Sequence, residues 1–204
     1  LERFTADWAT EYNVDLSETS PKNGMKVAVI GYSGSGKSTL AKKLGRIYQC
    51  PVLHLDRINF EPGWRERDPE DARRTVSGFL DENGENGWII DGNYSGLCQE
   101  RRLKEADLIV FMDFPRRICL WQAMRRYVMY RGRVRDSIAD GCEEKMDLPF
   151  LMWILRNGRS RKYKNRYREI QECYPEKTLV IRNHKEMSDS LIRLAPRSRL
   201  KAWK

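Results

Sequence analysis

The stretch GYSGSGKST at residues 31–39 constrains the fold of this chain more than any other feature. It matches the pattern G-x-x-x-x-G-K-[ST], a loop that wraps the phosphates of ATP or GTP. In such a loop the glycines let backbone N–H groups approach the phosphates, the lysine adds a point charge, and the next hydroxyl is a ligand of Mg²⁺. The pattern therefore assigns Ser38 to magnesium. It assigns the following residues to ATP: Gly31, Ser33, Gly34, Ser35, Gly36, Lys37, Ser38 and Thr39.

The segments on either side of this loop fit the assignment. Residues 25–30 are an apolar run typical of a short buried strand, and Leu40, Leu44 and Ile47 follow the loop at helical spacing. A strand, a loop and a helix N-terminus in this order form an anion-binding site. Further strand-like segments alternate with helical patterns, at residues 51–56, 88–91, 108–113 and 178–181. The alternation predicts a three-layer α/β/α fold with a mostly parallel five-stranded sheet.

The chain has 204 residues and a net charge of +9, which is unevenly distributed. Residues 1–24 carry −3, so residues 25–204 carry +12. A basic body suits a polyanionic ligand, either ATP with an acidic or phosphorylated acceptor or a nucleic acid, although a solvated basic surface explains most such charges equally well. We expect one domain over residues 25–204, preceded by an N-terminal extension or a leader of artificial origin.

The cysteines predict neither a disulfide framework nor a zinc site. There are five of them, no two form a C-x-x-C pair, and the chain has only two histidines. Unpaired thiols are typical of a reducing compartment, so we expect a cytoplasmic protein. No apolar run approaches the length of a membrane span, and no membrane partner is expected.

Two acidic residues stand at the ends of predicted strands, where ligands bind in open α/β sheets. Asp91 ends the third strand and is predicted to hold Mg²⁺ directly or through water, the alternative being an ordinary turn residue. Asp56 ends the second strand, and it either orients an acceptor hydroxyl or is a turn residue. The loop that follows, residues 60–67, is expected to expose Trp64 to the acceptor.

Local signals mark the starts of three later helices. Asp68 and Asp147 each precede a proline and an apolar helical pattern, which predicts a capped helix N-terminus at both places. Residues 183–185 are expected to form a loop before a last helix that Ser188 caps.

Arginine and lysine are concentrated in two segments, residues 125–135 and 156–168. One interpretation is an arginine-rich helical lid, at about residues 126–165, that folds guanidinium groups over the transferring phosphoryl group. A second is a nucleic-acid surface, because Tyr163 and Tyr167 interleave the second segment and aromatic rings stack on bases. A third is that most of these side chains form a solvated helix face.

Several further segments form a pattern together with the phosphate loop. They are His54-Leu55-Asp56, the run from Trp88 to Tyr94, Asp113-Phe114-Pro115-Arg116 and Gly141-Cys142-Glu143-Glu144-Lys145. In this pattern the chain resembles the adenylate-kinase-related P-loop kinases, and most closely the small bacterial proteins labelled DNA topology modulation proteins. The resemblance implies sheet order 2-3-1-4-5, a lid between the last two strands and ATP-dependent phosphoryl transfer. The catalytic residues that it implies are Lys37, Arg126, Arg135 and Arg161.

One segment departs from the adenylate-kinase pattern. True members carry D-G-F-P-R at the third strand, with the arginine on the acceptor nucleotide, whereas here Asn93 and Tyr94 follow Asp91-Gly92. The predicted function is therefore an ATP- and Mg²⁺-dependent phosphotransferase with a small-molecule acceptor. Its acceptor site comprises Asp56, Trp64, Asn93 and Tyr94. The alternative is a nucleic-acid-associated NTPase that modulates DNA topology, which we favour less because no helix-turn-helix, zinc module or RNP-type motif occurs.

Overall fold

The computed structural model describes residues 24–130, 138, 139, 141, 142, 144 and 146–194. A parallel sheet lies at its centre, formed by β1 (Lys26–Gly31), β2 (Val52–His54), β5 (Trp88–Asp91), β6 (Leu108–Met112) and β7 (Thr178–Ile181). A separate antiparallel hairpin consists of β3 (Phe60–Glu61) and β4 (Arg65–Glu66). The sheet order is β2-β5-β1-β6-β7, which is 2-3-1-4-5 when only the sheet strands are counted along the chain. The predicted α/β fold and strand order are confirmed.

Helices cover both faces of this sheet. They are α1 (Lys37–Tyr48), α2 (Leu55–Asn59), α3 (Pro69–Glu82), α4 (Gln99–Glu105), α5 (Arg116–Tyr130), α6 (Leu148–Leu155), α7 (Arg161–Cys173) and α8 (His184–Leu194). The Tyr48 hydroxyl of α1 donates to the Leu194 carbonyl oxygen of α8 at 2.7 Å, and Arg166 of α7 bonds to Gln99 of α4. Together with the right-handed crossover rule, these contacts place α1 and α8 on one face and α3, α4 and α7 on the other.

The central strands are buried on both faces, which explains why they are continuous apolar runs. Val27, Ala28 and Val29 of β1 are fully buried. Parallel pairing aligns the carboxyl ends of the strands, with Gly31 opposite Met112 in β1 and β6. The same alignment sets His54 of β2 opposite Asp91 of β5. The phosphate loop and Asp91 therefore lie at the same edge of the sheet.

Two predicted helix starts are confirmed. Asp68 Oδ1 accepts from the backbone N–H groups of Glu70 and Asp71 at the start of α3. Asp147 Oδ1 accepts from the N–H of Phe150 at the start of α6. Each aspartate satisfies N–H groups that have no partner within the helix, and the proline in the first turn supplies a helical φ.

The predicted end of the second strand is wrong. β2 stops at His54, and Asp56 lies in the first turn of α2. The neighbouring strand β5 ends at Asp91, opposite His54, so no ladder remains beyond that pair. After His54 the backbone groups form hydrogen bonds within the short helix α2 instead. One of them runs from the Phe60 N–H to the Asp56 carbonyl oxygen.

The predicted cap of the last helix is also wrong. α8 already begins at His184, and the Ser188 hydroxyl donates within it to the His184 carbonyl oxygen at 3.0 Å. Asn183 performs the capping: its Oδ1 accepts from the Glu186 N–H at 2.9 Å, and its Nδ2 donates to the Glu186 carboxylate at 2.7 Å. This reciprocal pair fixes the helix start one turn before Ser188.

All five cysteines are free thiols, in agreement with the sequence interpretation. Within the described residues, no helix combines the length and the apolar character needed to cross a membrane. Of the predicted N-terminal segment, residues 1–23 lie outside the described residues.

Candidate functional site

The phosphate loop connects β1 to α1, and its backbone requires glycine at three positions. Gly31, Gly34 and Gly36 have φ values of 139°, 79° and 90°, which residues with a side chain rarely adopt. A Cβ atom on Gly31 would lie 2.5 Å from the Met112 carbonyl oxygen, and one on Gly34 would lie 2.4 Å from that of Cys119. The loop is thus held closely between β6 and α5, and it leads directly into the N-terminus of α1, where an anion is favoured.

Lys37 is the first residue of α1 and lies directly after the glycines of the phosphate loop. Its Nζ donates to the Tyr32 carbonyl oxygen at 2.9 Å. Burial lowers the pKa of Lys37, and the carboxylates of Asp91 and Asp56 oppose this shift. The carboxylates of Asp91, at the end of β5, and of Asp56, in the first turn of α2, therefore both act on the charge of the loop lysine.

Asp91 is buried and uses only one of its carboxylate oxygens within the described part of the chain. Oδ2 lies 3.0 Å from Nδ1 of His54, which is itself buried. Oδ1 is buried without a hydrogen-bond partner among the described residues. Buried polar atoms of folded proteins are almost always bonded, so this oxygen is available to a cation or a water molecule.

This arrangement fits the predicted magnesium site. Mg²⁺ prefers oxygen ligands, keeps several waters, and is bound through one or two protein groups together with the phosphates of a nucleotide. Asp91 offers a carboxylate oxygen, and Ser38 offers a hydroxyl in the first turn of α1. The described residues include no cluster of three or more acidic, histidine or cysteine side chains that could hold a metal ion.

The amide side chain of Asn93 pairs with the first residue of the phosphate loop. Its Oδ1 accepts from the Gly31 N–H at 2.9 Å, and its Nδ2 donates to the Gly31 carbonyl oxygen at 2.6 Å. With these two bonds the Asn93 side chain joins the segment after β5 to the loop, as a pair of backbone hydrogen bonds joins two strands. Asn93 thus supports the phosphate loop, and its contact with an acceptor stays a prediction.

Tyr94 connects the same segment to the other carboxylate. Its hydroxyl donates to Asp56 Oδ1 at 2.7 Å, which fixes the orientation of that carboxylate. Burial and the charge of Asp56 raise the pKa of Tyr94, so the phenol remains a donor. Arg102 is 1% exposed and stabilises the segment that contains Tyr94. Its guanidinium donates to the carbonyl oxygens of Leu97 and Tyr94, both at 2.7 Å.

The expectation that Trp64 is exposed is wrong. Trp64 is half-buried and contacts Phe60 edge-on, with ring centroids 5.3 Å apart. Both rings pack against Ile138, Ala139 and Cys142, three buried residues of the predicted lid segment. In addition to this packing, the Trp64 N–H donates a hydrogen bond to Cys142 Sγ at 3.4 Å. These described residues of the predicted lid segment therefore pack on the β3–β4 hairpin, and a contact between residues so far apart in the chain leaves no local signal in the sequence.

The predicted arginines have different surroundings. Arg126 Nε donates to the buried carboxylate of Glu144 at 2.6 Å, and its charge acts on Lys37. Arg161 is exposed at the start of α7, and Arg135 lies outside the described residues.

Among the residues of the phosphate loop, Ser33 accepts a hydrogen bond from Trp153 Nε1 of α6 at 3.1 Å.

Arg159 is the arginine beside the phosphate loop that sequence reasoning missed. Its guanidinium lies over the Tyr32 ring, 3.7 Å from the centroid, and donates to the Phe114 carbonyl oxygen and to Cys119 Sγ. It is one of several cations in a basic segment, and only the turn at Asn157–Arg159 before α7 directs it inward. Nothing in its local sequence distinguishes it from Arg156 or Arg161.

Comparison with protein-family models gives no match, and comparison with curated proteins gives none either. Among solved structures, the chain is similar to a shikimate kinase from Bacteroides thetaiotaomicron, with 16% identity, 83% of this chain and 95% of that chain covered, and a TM-score of 0.46. It is similar to a gluconokinase from Sinorhizobium meliloti 1021, with 15% identity, coverage of 89% and 99%, and a TM-score of 0.44. It is also similar to an uncharacterized protein from Eubacterium ventriosum, with 15% identity, coverage of 84% and 97%, and a TM-score of 0.43. The assignment to the α/β class rests on the sheet order and the phosphate loop described above.

Proposed function

We propose that this chain is an ATP-dependent phosphotransferase that acts on a small-molecule acceptor. The observation that carries the proposal is the phosphate loop at the carboxyl edge of the sheet, where Lys37 bonds to the Tyr32 carbonyl oxygen and the buried Asp91 ends β5. Asp91 presents a buried unbonded oxygen for Mg²⁺, and Asp56 is oriented by Tyr94. The sequence resemblance to adenylate-kinase-related P-loop kinases and to the DNA topology modulation group supports the same reaction class. The proposed domain begins near residue 25 and includes a lid at about residues 126–165.

Positioning and charge neutralisation supply the rate in such a reaction. The loop N–H groups and Lys37 hold the phosphates of ATP, while Ser38 and Asp91 hold Mg²⁺, which neutralises charge on the phosphates when bound. The γ-phosphoryl group passes to the oxygen of an acceptor hydroxyl as its bond to the bridging β-phosphate oxygen breaks, so that ADP leaves and the carboxylate of Asp56 accepts the hydroxyl proton.

The arginines then have distinct roles in the proposal. Arg159 is already beside the loop, and Arg126 is close enough to act on Lys37 while it is bonded to Glu144. A polyphosphate competes with Glu144 for Arg126, because guanidinium groups bond phosphate oxygens in the same bidentate manner as carboxylates. Arg135 and Arg161 complete the proposed lid.

The test is ATP consumption against a panel of nucleosides, nucleotides, sugars and small acids, with the Lys37→Ala variant beside the wild type. Loss of the loop lysine should lower kcat/KM for the best acceptor by about a hundredfold or more, since its charge neutralises the transferring group. Lys104→Ala, at an exposed position of α4, is the matched control and should retain wild-type turnover. Near wild-type turnover by a folded Lys37→Ala protein would sink the assignment.

One observation favours a nucleic-acid-associated function as a second candidate. Four cations of α7 are exposed and form what we call the α7 basic surface: Arg161, Lys162, Lys164 and Arg168. The tyrosines of the same helix do not support base stacking, because Tyr167 is 5% exposed and Tyr163 packs edge-on against Trp153. Any attraction of this surface for nucleic acid is therefore electrostatic.

A further inference from the structure

A cavity of about 540 Å³ lies on the α7 face of the sheet, beside the phosphate loop. Its floor is made of three aromatic rings, Tyr32, Phe111 and Tyr167, each no more than 7% exposed. Phe111 and Tyr167 stack with centroids 4.5 Å apart, and Tyr32 meets Tyr167 edge-on at 5.2 Å. The floor is therefore a fixed surface, and the volume falls within the range of about 300–1,000 Å³ found for small-molecule sites.

Cations predominate on the walls of this cavity. Arg116, Arg159, Lys164 and Arg168 line it, against two carboxylates, Asp113 and Glu172. In the described part of the chain, none of the four cations forms an ion pair with a carboxylate, and the guanidinium of Arg159 bonds to a carbonyl oxygen and a thiol. A concave site with an excess of cations that have no anionic partner is suited to an anion.

Asp113 gives the cavity a carboxylate, which can accept hydrogen bonds from a ligand. Its carboxylate is half-buried and makes no hydrogen bond to a described side chain, and burial raises the pKa of Asp113 against the charges of Arg159, Arg182 and Lys164. Tyr32 and Tyr167, which also line the cavity, contribute two phenol groups. A carboxylate and two phenols are groups that bond to the hydroxyls of a ligand.

We propose that this cavity binds a phosphate ester of a polyhydroxylated carbon chain, of the sugar-phosphate class. The phosphate lies against the cations of α5 and α7, and the ligand hydroxyls bond to Asp113 and to the two phenols. The site is separate from the acceptor site around Asp56 and goes beyond the proposed function. It is adjacent to the phosphate loop through Tyr32, whose ring lines the cavity and whose carbonyl oxygen accepts from Lys37. Occupancy of the cavity should therefore influence ATP binding.

Calorimetric titration with ribose 5-phosphate tests the proposal on the whole chain, after saturation of the phosphate loop with a non-hydrolysable ATP analogue and Mg²⁺. Ribose and inorganic phosphate are titrated separately, because the proposal requires both halves of the ligand. The double variant Lys164→Gln/Arg168→Gln removes two wall cations. Lys162→Gln/Arg156→Gln removes the same charge from exposed positions that do not line the cavity.

We expect one equivalent of ribose 5-phosphate to bind, about tenfold or more weaker in the first double variant and unchanged in the second. Ribose and phosphate alone should each bind at least about tenfold more weakly than the ester. Absence of binding, equal weakening in both double variants, or binding of phosphate as tight as that of the ester would each overturn the proposal. Binding that occurs only when the ATP analogue is omitted would assign the ligand to the phosphate loop instead and would overturn the proposal. All these measurements report binding and not turnover, so they test the cavity separately from the phosphotransferase proposal.

Discussion

The side chain of Asn93 joins the chain after β5 to the first residue of the phosphate loop through two hydrogen bonds. Replacement by aspartate keeps the shape and the acceptor but places a carboxylate oxygen against the Gly31 carbonyl oxygen. Loss of this part-buried hydrogen bond together with the repulsion costs about 1–3 kcal/mol. We therefore expect Asn93→Asp to weaken the binding of Mg-ATP by about tenfold or more, measured by calorimetry.

The comparison variant for this prediction is Asn157→Asp, which makes the same chemical change at an exposed position. It should bind Mg-ATP as the wild type does. If Asn93→Asp also binds normally, the two bonds to Gly31 do not hold the loop in its binding conformation, and Asn93 returns to the predicted role at the acceptor site.

Single residues were predictable where the physical cause is local. The glycines and Lys37 of the phosphate loop follow from the motif itself, because the required φ values and the required charge are properties of consecutive residues. The pairing of Asn93 with Gly31 and the inward direction of Arg159 depend on contacts between distant segments. Residue type alone does not specify such contacts.

The contact between the β3–β4 hairpin and the predicted lid joins two elements that are far apart in the sequence. Besides the packing of Trp64 and Phe60, the Gly63 N–H donates to the Gly141 carbonyl oxygen at 3.2 Å. Trp64 has a φ of 66°, which a bulky residue rarely adopts, so the packing of its ring must offset a local strain.

We expect Trp64→Ala to release the lid segment from the hairpin. Amide hydrogen exchange at Ile138, Ala139 and Cys142 should then become about tenfold faster or more, because these amides lose their buried surroundings. ATP affinity at the phosphate loop should be unchanged, whereas turnover should fall. Trp121→Ala, which truncates a ring that is 56% exposed on α5, is the control for loss of a tryptophan. Equal exchange in wild type and Trp64→Ala would show that the ring does not hold the lid.

Elements were predicted well where their ends carry local signals. Asp68 and Asp147 predict the starts of α3 and α6, because a capping hydrogen bond joins residues that are only one turn apart. Asn183 and Glu186 form such a signal as well, whereas Ser188, the predicted cap, lies inside α8. The end of β2 depends on the length of its neighbour β5, and the sequence of β2 does not contain that information.

The net charge of +9 raises the question of whether duplex DNA is a functional partner. The phosphate contacts available on the α7 basic surface are those of its four exposed cations. Each phosphate contact contributes about −0.9 to the slope of log K against log salt concentration, so this surface predicts a slope of about −4. Tyr163 and Tyr167 add no stacking energy, since Tyr167 is buried and the half-buried ring of Tyr163 packs edge-on against Trp153.

We therefore expect duplex binding that is measurable at about 50 mM salt and lost at about 150–200 mM, because its free energy comes from counterion release alone. Fluorescence anisotropy of a labelled duplex across this salt range gives both the affinity and the slope. Removal of two surface cations in Arg161→Gln/Lys162→Gln should reduce the slope by about 2, and Lys104→Gln/Lys177→Gln on other elements should not. Tight binding that persists at 200 mM salt would require contacts other than phosphate neutralisation, and it would move the assignment from a small-molecule phosphotransferase to an NTPase that acts on DNA.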